Sequence, residues 1–131
     1  MSKEMADYDR EVFCILNLSS DNKVINMNVV SVGTLNSAEI GVREVFKSSI
    51  LSNAASIIAV HNHPSGNLNP SKCDKFTTQR LREAGELMGI ELLDHVIVGD
   101  KDGKYYSFRK EGILDWNFKR QLSREQYEVE R

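Results

Sequence analysis

Ala55-Ser56-Ile57-Ile58-Ala59-Val60-His61-Asn62-His63-Pro64-Ser65-Gly66, continued through Asn67-Leu68-Asn69-Pro70 into Ser71-Lys72-Cys73-Asp74, changes character three times. Residues 55–60 form a short apolar run with β-branched Ile57, Ile58 and Val60, which reads as a buried strand running into His61. Pro64, Ser65 and Gly66 stop it. From Pro70 a periodic segment runs to Gly89, and Ser71 is placed to cap the free N–H groups of a helix starting there.

Side chains two apart on an extended segment point the same way, so His61 and His63 can offer both imidazoles to one ion. Asp74 follows at loop distance, in the first helical turn, where the helix dipole favours a carboxylate. Two roles compete for that side chain. Ser71 and Asp74 taken alone match a capping box, a motif common in proteins that bind no metal. Taken with the paired histidines, Asp74 completes the set of three ligands that a catalytic zinc site needs. Two neutral imidazoles and one carboxylate leave zinc a net positive charge, able to acidify a water and polarise a carbonyl. The chemistry points to a metal-dependent hydrolase.

His61, His63, Ser71 and Asp74 also match every spacing of the JAMM motif, written His-x-His, seven residues, Ser, two residues, Asp. The chain therefore resembles the JAB/MPN metalloprotease superfamily. Its wording is similar to the RadC-like branch in His61-Asn62-His63-Pro64-Ser65-Gly66, Asn69-Pro70-Ser71, Ala84-Gly85, Gly89-Ile90 and Leu93-Asp94-His95-Val96-Ile97-Val98-Gly99. Upstream, Gly33-Thr34-Leu35-Asn36-Ser37-Ala38 and Arg43-Glu44-Val45-Phe46 look like it too.

The resemblance implies an α/β fold of the JAB/MPN, cytidine-deaminase-like kind: a mixed β-sheet flanked by helices. It implies zinc held by His61, His63 and Asp74 with a water in the remaining position, and a glutamate on an early strand as general base. Glu11, directly before the apolar run Val12-Phe13-Cys14-Ile15-Leu16, is the candidate. Glu39 and Glu44 compete, but both fall in the amphipathic stretch from Ser37 to Asn53, where an acidic residue is most simply a solvated face or an N-terminal charge. The implied reaction is amide or isopeptide hydrolysis of a protein or peptide substrate. Glu11 moves the proton and Ser71, by its matching position, steadies the oxyanion. The alternative is a JAB-fold interaction or scaffold module linked to DNA repair and without turnover. The four intact motif residues argue against that loss of metal.

The RadC-like resemblance suggests DNA, and composition argues the other way. The net charge is −2 and the pI about 5.9, with Lys and Arg clustered no further than pairs such as Lys119-Arg120. A duplex-binding domain presents a basic surface to phosphates. Full-length RadC proteins carry an N-terminal helix-hairpin-helix region with no counterpart here, so direct DNA binding is not expected.

The chain as a whole reads as one domain of 131 residues, 40% hydrophobic and 27% charged. We divide it into an N-terminal flexible segment (1–9), the JAB/MPN domain (10–114), and a short amphipathic helix or frayed tail (115–131). Strands are expected at Val12–Leu18, Lys23–Val32, Glu91–Val98 and Lys104–Arg109, with turns at Ser19–Asn22 and Gly99–Gly103, and helices at Ser37–Asn53 and Ser71–Met88. Cys14 reads as a small buried hydrophobe, Cys73 as helix packing, and His95 as a core histidine hydrogen-bonded to Asp94. Two cysteines without paired spacing and a polar N-terminus without an apolar core predict a reducing, cytoplasmic setting, no disulfide and no membrane anchor.

Overall fold

The computed structural model describes residues 11–32, 40–99 and 103–112. The expected segments 1–9 and 115–131, Glu39, and residues 100–102 of the last turn lie outside them. Five strands, β1 (Val12–Leu18), β2 (Val24–Val32), β3 (Ser56–Asn62), β4 (Glu91–Val98) and β5 (Tyr105–Ser107), form one sheet in the order β2-β1-β3-β4-β5. β3 and β4 are parallel and every other pair is antiparallel, so the sheet is mixed as expected. α1 (Val42–Leu51) lies between β2 and β3 in the chain, and α2 (Lys72–Met88) between β3 and β4.

Both helices pack on one face. Right-handed crossovers that step the same way across a sheet put their helices on the same side. The main core joins Phe13 and Ile15 of β1, Ile57 and Ala59 of β3 and Leu92 of β4 to Val45 and Phe46 of α1 and Leu81 of α2. Burying each large side chain contributes about 1.5–3 kcal/mol. On the opposite face Val12, Cys14, Val60 and Val98 form a second buried cluster, joined by Leu16, Ile58 and Val96 and made only of strand residues. Among the described residues the flanking by helices is thus one-sided.

Local chemistry explains where elements begin and end. α2 starts at Lys72 with Ser71 as its cap and stops at Gly89, whose φ of 72° is the left-handed conformation that glycine adopts at low cost. α1 begins at Val42, because Gly41 stands extended before it, and ends at Leu51, because Asn53 turns left-handed with φ 54°. The expected helix is therefore shorter at its described end. β3 runs further than the apolar run alone implied, through His61 and Asn62, and the His63 N–H extends the ladder by donating to the Val98 carbonyl at 2.8 Å. β5 spans only Tyr105–Ser107, since the chain turns at Phe108. No described helix is long and apolar enough to cross a membrane.

Candidate metal centre

His61 is the next-to-last residue of β3, opposite Phe13 of β1 and Ile97 of β4, and its side chain points to the helix-bearing face. His63 follows on the loop. That loop closes tightly against the end of β4 at Gly99, where an added Cβ would meet the Leu68 side chain at 2.4 Å and the Gly66 carbonyl at 2.9 Å. A side chain at position 99 would push away the segment that orients His63.

From the other side, the first turn of α2 brings Asp74. Its carboxylate lies 3.4 Å from Nδ1 of His61 and 3.2 Å from Nε2 of His63. One donor atom from each residue falls within 4.8 Å of the other two. The competition between cap and ligand dissolves, because a carboxylate has two oxygens with several lone pairs between them. Oδ2 accepts the Ser71 N–H at 2.8 Å, and the Ser71 hydroxyl oxygen accepts the Asp74 N–H at 3.0 Å. Asp74 closes the capping box and faces both imidazoles at once.

The lone pairs call for a proton or a metal ion between them. Nδ1 of His63 lies 2.7 Å from the Asn67 carbonyl, which can only accept, so Nδ1 carries the proton. Nε2 then directs a lone pair at a carboxylate oxygen, an arrangement that repels unless a proton or a metal stands between. At His61 neither buried ring nitrogen makes a well-formed hydrogen bond: Nδ1 meets only the Asp74 carboxylate, at 3.4 Å, and Nε2 meets no partner. A buried unsatisfied polar atom costs about 1–3 kcal/mol, so this ring fits a ligand better than a packing role.

Electrostatics agree with a cation-collecting site. Hydrogen bonding to Asp74 raises the His63 imidazole above its ordinary value; burial opposes this, while the Asn67 carbonyl and the charges of Asp74 and Glu11 add to the rise. Burial alone would push Asp74 up, but His61, His63 and the Ser71 N–H outweigh it and hold the carboxyl far below the usual range.

The three residues sit in a cleft of about 470 Å³ whose walls include Glu11, Phe13, Ser71, Cys73, Thr77 and His95. Glu11 thus shares the cleft, and its charge is felt at His63. Glu44 is exposed on α1 beside Arg43, its carboxylate 3.7 Å from the guanidinium, and does not line the cleft. Glu39 lies outside the described residues.

Two expectations need correction. Cys73 is exposed at the cleft rather than packed, because the second residue of α2 faces the mouth and not the sheet. Asp94 does not hold the His95 ring, because neighbouring strand residues point to opposite faces. Asp94 accepts instead from the backbone N–H groups of His95 and Arg109 and from the Ser107 hydroxyl, tying β5 and the turn after it to β4. Cys14 is buried as expected.

Comparison with known proteins agrees with this geometry. The model of the RadC-like JAB domain matches residues 1–113. The chain belongs to the RadC-like JAB domain family. It is 49% identical over 114 residues to a UPF0758 protein of Chlorobium chlorochromatii, covering 87% of this chain and 50% of that one. A UPF0758 protein of Staphylococcus haemolyticus is 50% identical over 115 residues, covering 88% and 50%. One from Methanosarcina acetivorans is 45% identical over 114 residues, covering 87% and 49%. The chain of this RadC-like JAB domain spans about half the length of the curated relatives it matches.

Proposed function

We propose that this RadC-like JAB domain is a zinc-dependent hydrolase of the JAMM type that cleaves amide bonds, either in a peptide or at an isopeptide linkage. The observation that carries this reading is the convergence of one buried imidazole, one half-buried imidazole and one carboxylate beside Glu11 in one cleft. Zinc suits the donor set. Ligands about 2.0–2.2 Å from a tetrahedral ion stand about 3.3–3.6 Å apart, close to the 3.4 Å and 3.2 Å between Asp74 and the imidazoles. When bound, zinc supplies a Lewis acid that acidifies water and polarises a carbonyl.

The chain's own groups carry the remaining steps. Glu11, on the cleft wall, takes the proton as water attacks and returns one to the leaving amine. The Ser71 oxygen already accepts the Asp74 N–H, which leaves its hydroxyl proton to donate to the oxyanion. The Asn67 carbonyl keeps the His63 proton on Nδ1 and the ligand lone pair on Nε2. Phe13 and Ile40 give the cleft an apolar stretch of wall. Metal analysis of the purified chain, with hydrolysis of peptide and isopeptide substrates, tests the proposal. We expect zinc near one equivalent and cleavage that vanishes in His63→Ala. Zinc without cleavage of any amide would favour a scaffold.

A further inference from the structure

Behind the centre lies a buried relay that the reaction does not use. His95 of β4 is fully buried and lies on the same sheet face as His61, their ring centroids 6.2 Å apart. Its ring stacks on Phe108 at 4.7 Å with planes 8° apart and meets Phe13 edge-on at 5.7 Å. Phe13 in turn touches His61, with centroids 5.8 Å apart. Nδ1 of His95 lies 2.5 Å from the Thr78 hydroxyl, and that hydroxyl donates to the backbone carbonyl of Asp74 at 2.7 Å.

The proton count fixes the direction. A hydroxyl has one proton, and Thr78 spends it on the Asp74 carbonyl, so Nδ1 of His95 must be the donor. Full burial keeps the ring uncharged, so Nε2 is left with a lone pair, buried and without a partner. An unsatisfied buried polar atom is destabilising, so an apolar side chain would serve the core better. What His95 supplies in return is a directed hydrogen bond.

We propose that His95 and Thr78 are positioning residues that hold the first turn of α2 against β4, and so fix the Asp74 carboxylate between His61 and His63. The inference rests on reading Asp74 as a metal ligand. The burial that pushes the His95 imidazole down to about 3 keeps the ring neutral across the working range. Outer partners of metal ligands typically contribute 10–100-fold in affinity.

Calorimetric titration of zinc into the metal-free whole chain tests this. Thr78→Val and His95→Leu should weaken zinc about tenfold or more. Thr78→Ser, which restores the hydroxyl, and His95→Asn, whose amide N–H stands near the Nδ1 position, should bind within about threefold of wild type. A purely structural role would move the urea midpoint and leave affinity alone, so Thr78→Val binding zinc like wild type overturns the inference. Wild type that takes up no zinc overturns the metal reading itself. Nitrogen NMR of the metal-free protein gives an independent readout: His95 protonated on Nδ1 is expected, and protonation on Nε2 refutes the relay.

Discussion

The two faces of the sheet are built from alternate residues of the same strands and do different work. One face holds both helices and most of the buried polar groups, including His61, His95, Thr78 and Asn17. The other holds the apolar cluster of Val12, Cys14, Val60 and Val98, together with Asp94, whose carboxylate ties β5 to β4. The period of two along β1, β3 and β4 separates them. Burial of apolar area is non-directional, so the apolar cluster on this face supplies stability without geometry. Directed hydrogen bonds and charges on the helix-bearing face set positions, at a cost in stability.

Substitutions should therefore sort by face. The largest effect is expected at Glu11→Gln, where turnover should fall roughly 10²–10⁴-fold while zinc content stays at wild type. Loss of zinc in that variant would make Glu11 a ligand. Ser71→Ala should lower turnover by about 10²–10³-fold and also cost about 1 kcal/mol in urea unfolding, because one oxygen caps α2 and serves the cleft. An effect on stability alone would reduce Ser71 to its cap.

The opposite face should show the reverse pattern. Val60→Ala, next to His61 in sequence but pointing away from it, should cost about 2 kcal/mol through lost burial and a small cavity, with zinc affinity unchanged in calorimetry. A shift in affinity beyond about threefold, set against the tenfold or larger change expected at the relay, would break the contrast between the faces.

Acid should sharpen the comparison. His95 is pushed down to about 3 in the fold, first by burial and then by the charge of His61, whereas an unfolded histidine titrates near 6.5. Between those values the unfolded chain takes up a proton that the fold refuses. Stability from this source is complete above about 6.5 and drains away as pH falls towards 3. From pH 7 to pH 5.5 the loss is on the order of 1 kcal/mol, and the metal-free His95→Asn protein should lose that much less than wild type. His63 has the opposite sign: its raised value stabilises the metal-free fold below about 6.5 and ceases to do so as pH rises through that raised value. Equal acid sensitivity of the two proteins would show that His95 already titrates normally. The smallest effect is expected at Glu44→Gln, where the exposed pair with Arg43 should leave stability within about 0.5 kcal/mol and turnover unchanged.

Much of this was legible because it is local. The strand into His61, the stop at Pro64–Gly66, the cap at Ser71 and the end of α2 at Gly89 each depend on neighbours a few residues away. His61, His63 and Asp74 were readable for the same reason, since one strand, one loop and one helical turn carry all three. The start of α1 was not legible: Gly41 looks like part of an amphipathic run and stands extended instead. Cys73 was misplaced because a helical period says which residues share a side, not which side meets the sheet.

Sequence by itself determined the mixed α/β class, the triad and its spacing, because strand alternation, capping and turn chemistry act over short distances. Tertiary structure alone decided the contacts between distant segments. It put Glu11 on the wall of the cleft that holds His63 and left Glu44 on an exposed helix. It also let one carboxylate close the helix cap and face both imidazoles, and joined His95 to Asp74 through Thr78. Such contacts depend on how the strands pair and which face each helix covers, and no spacing along the chain encodes a distance across the sheet.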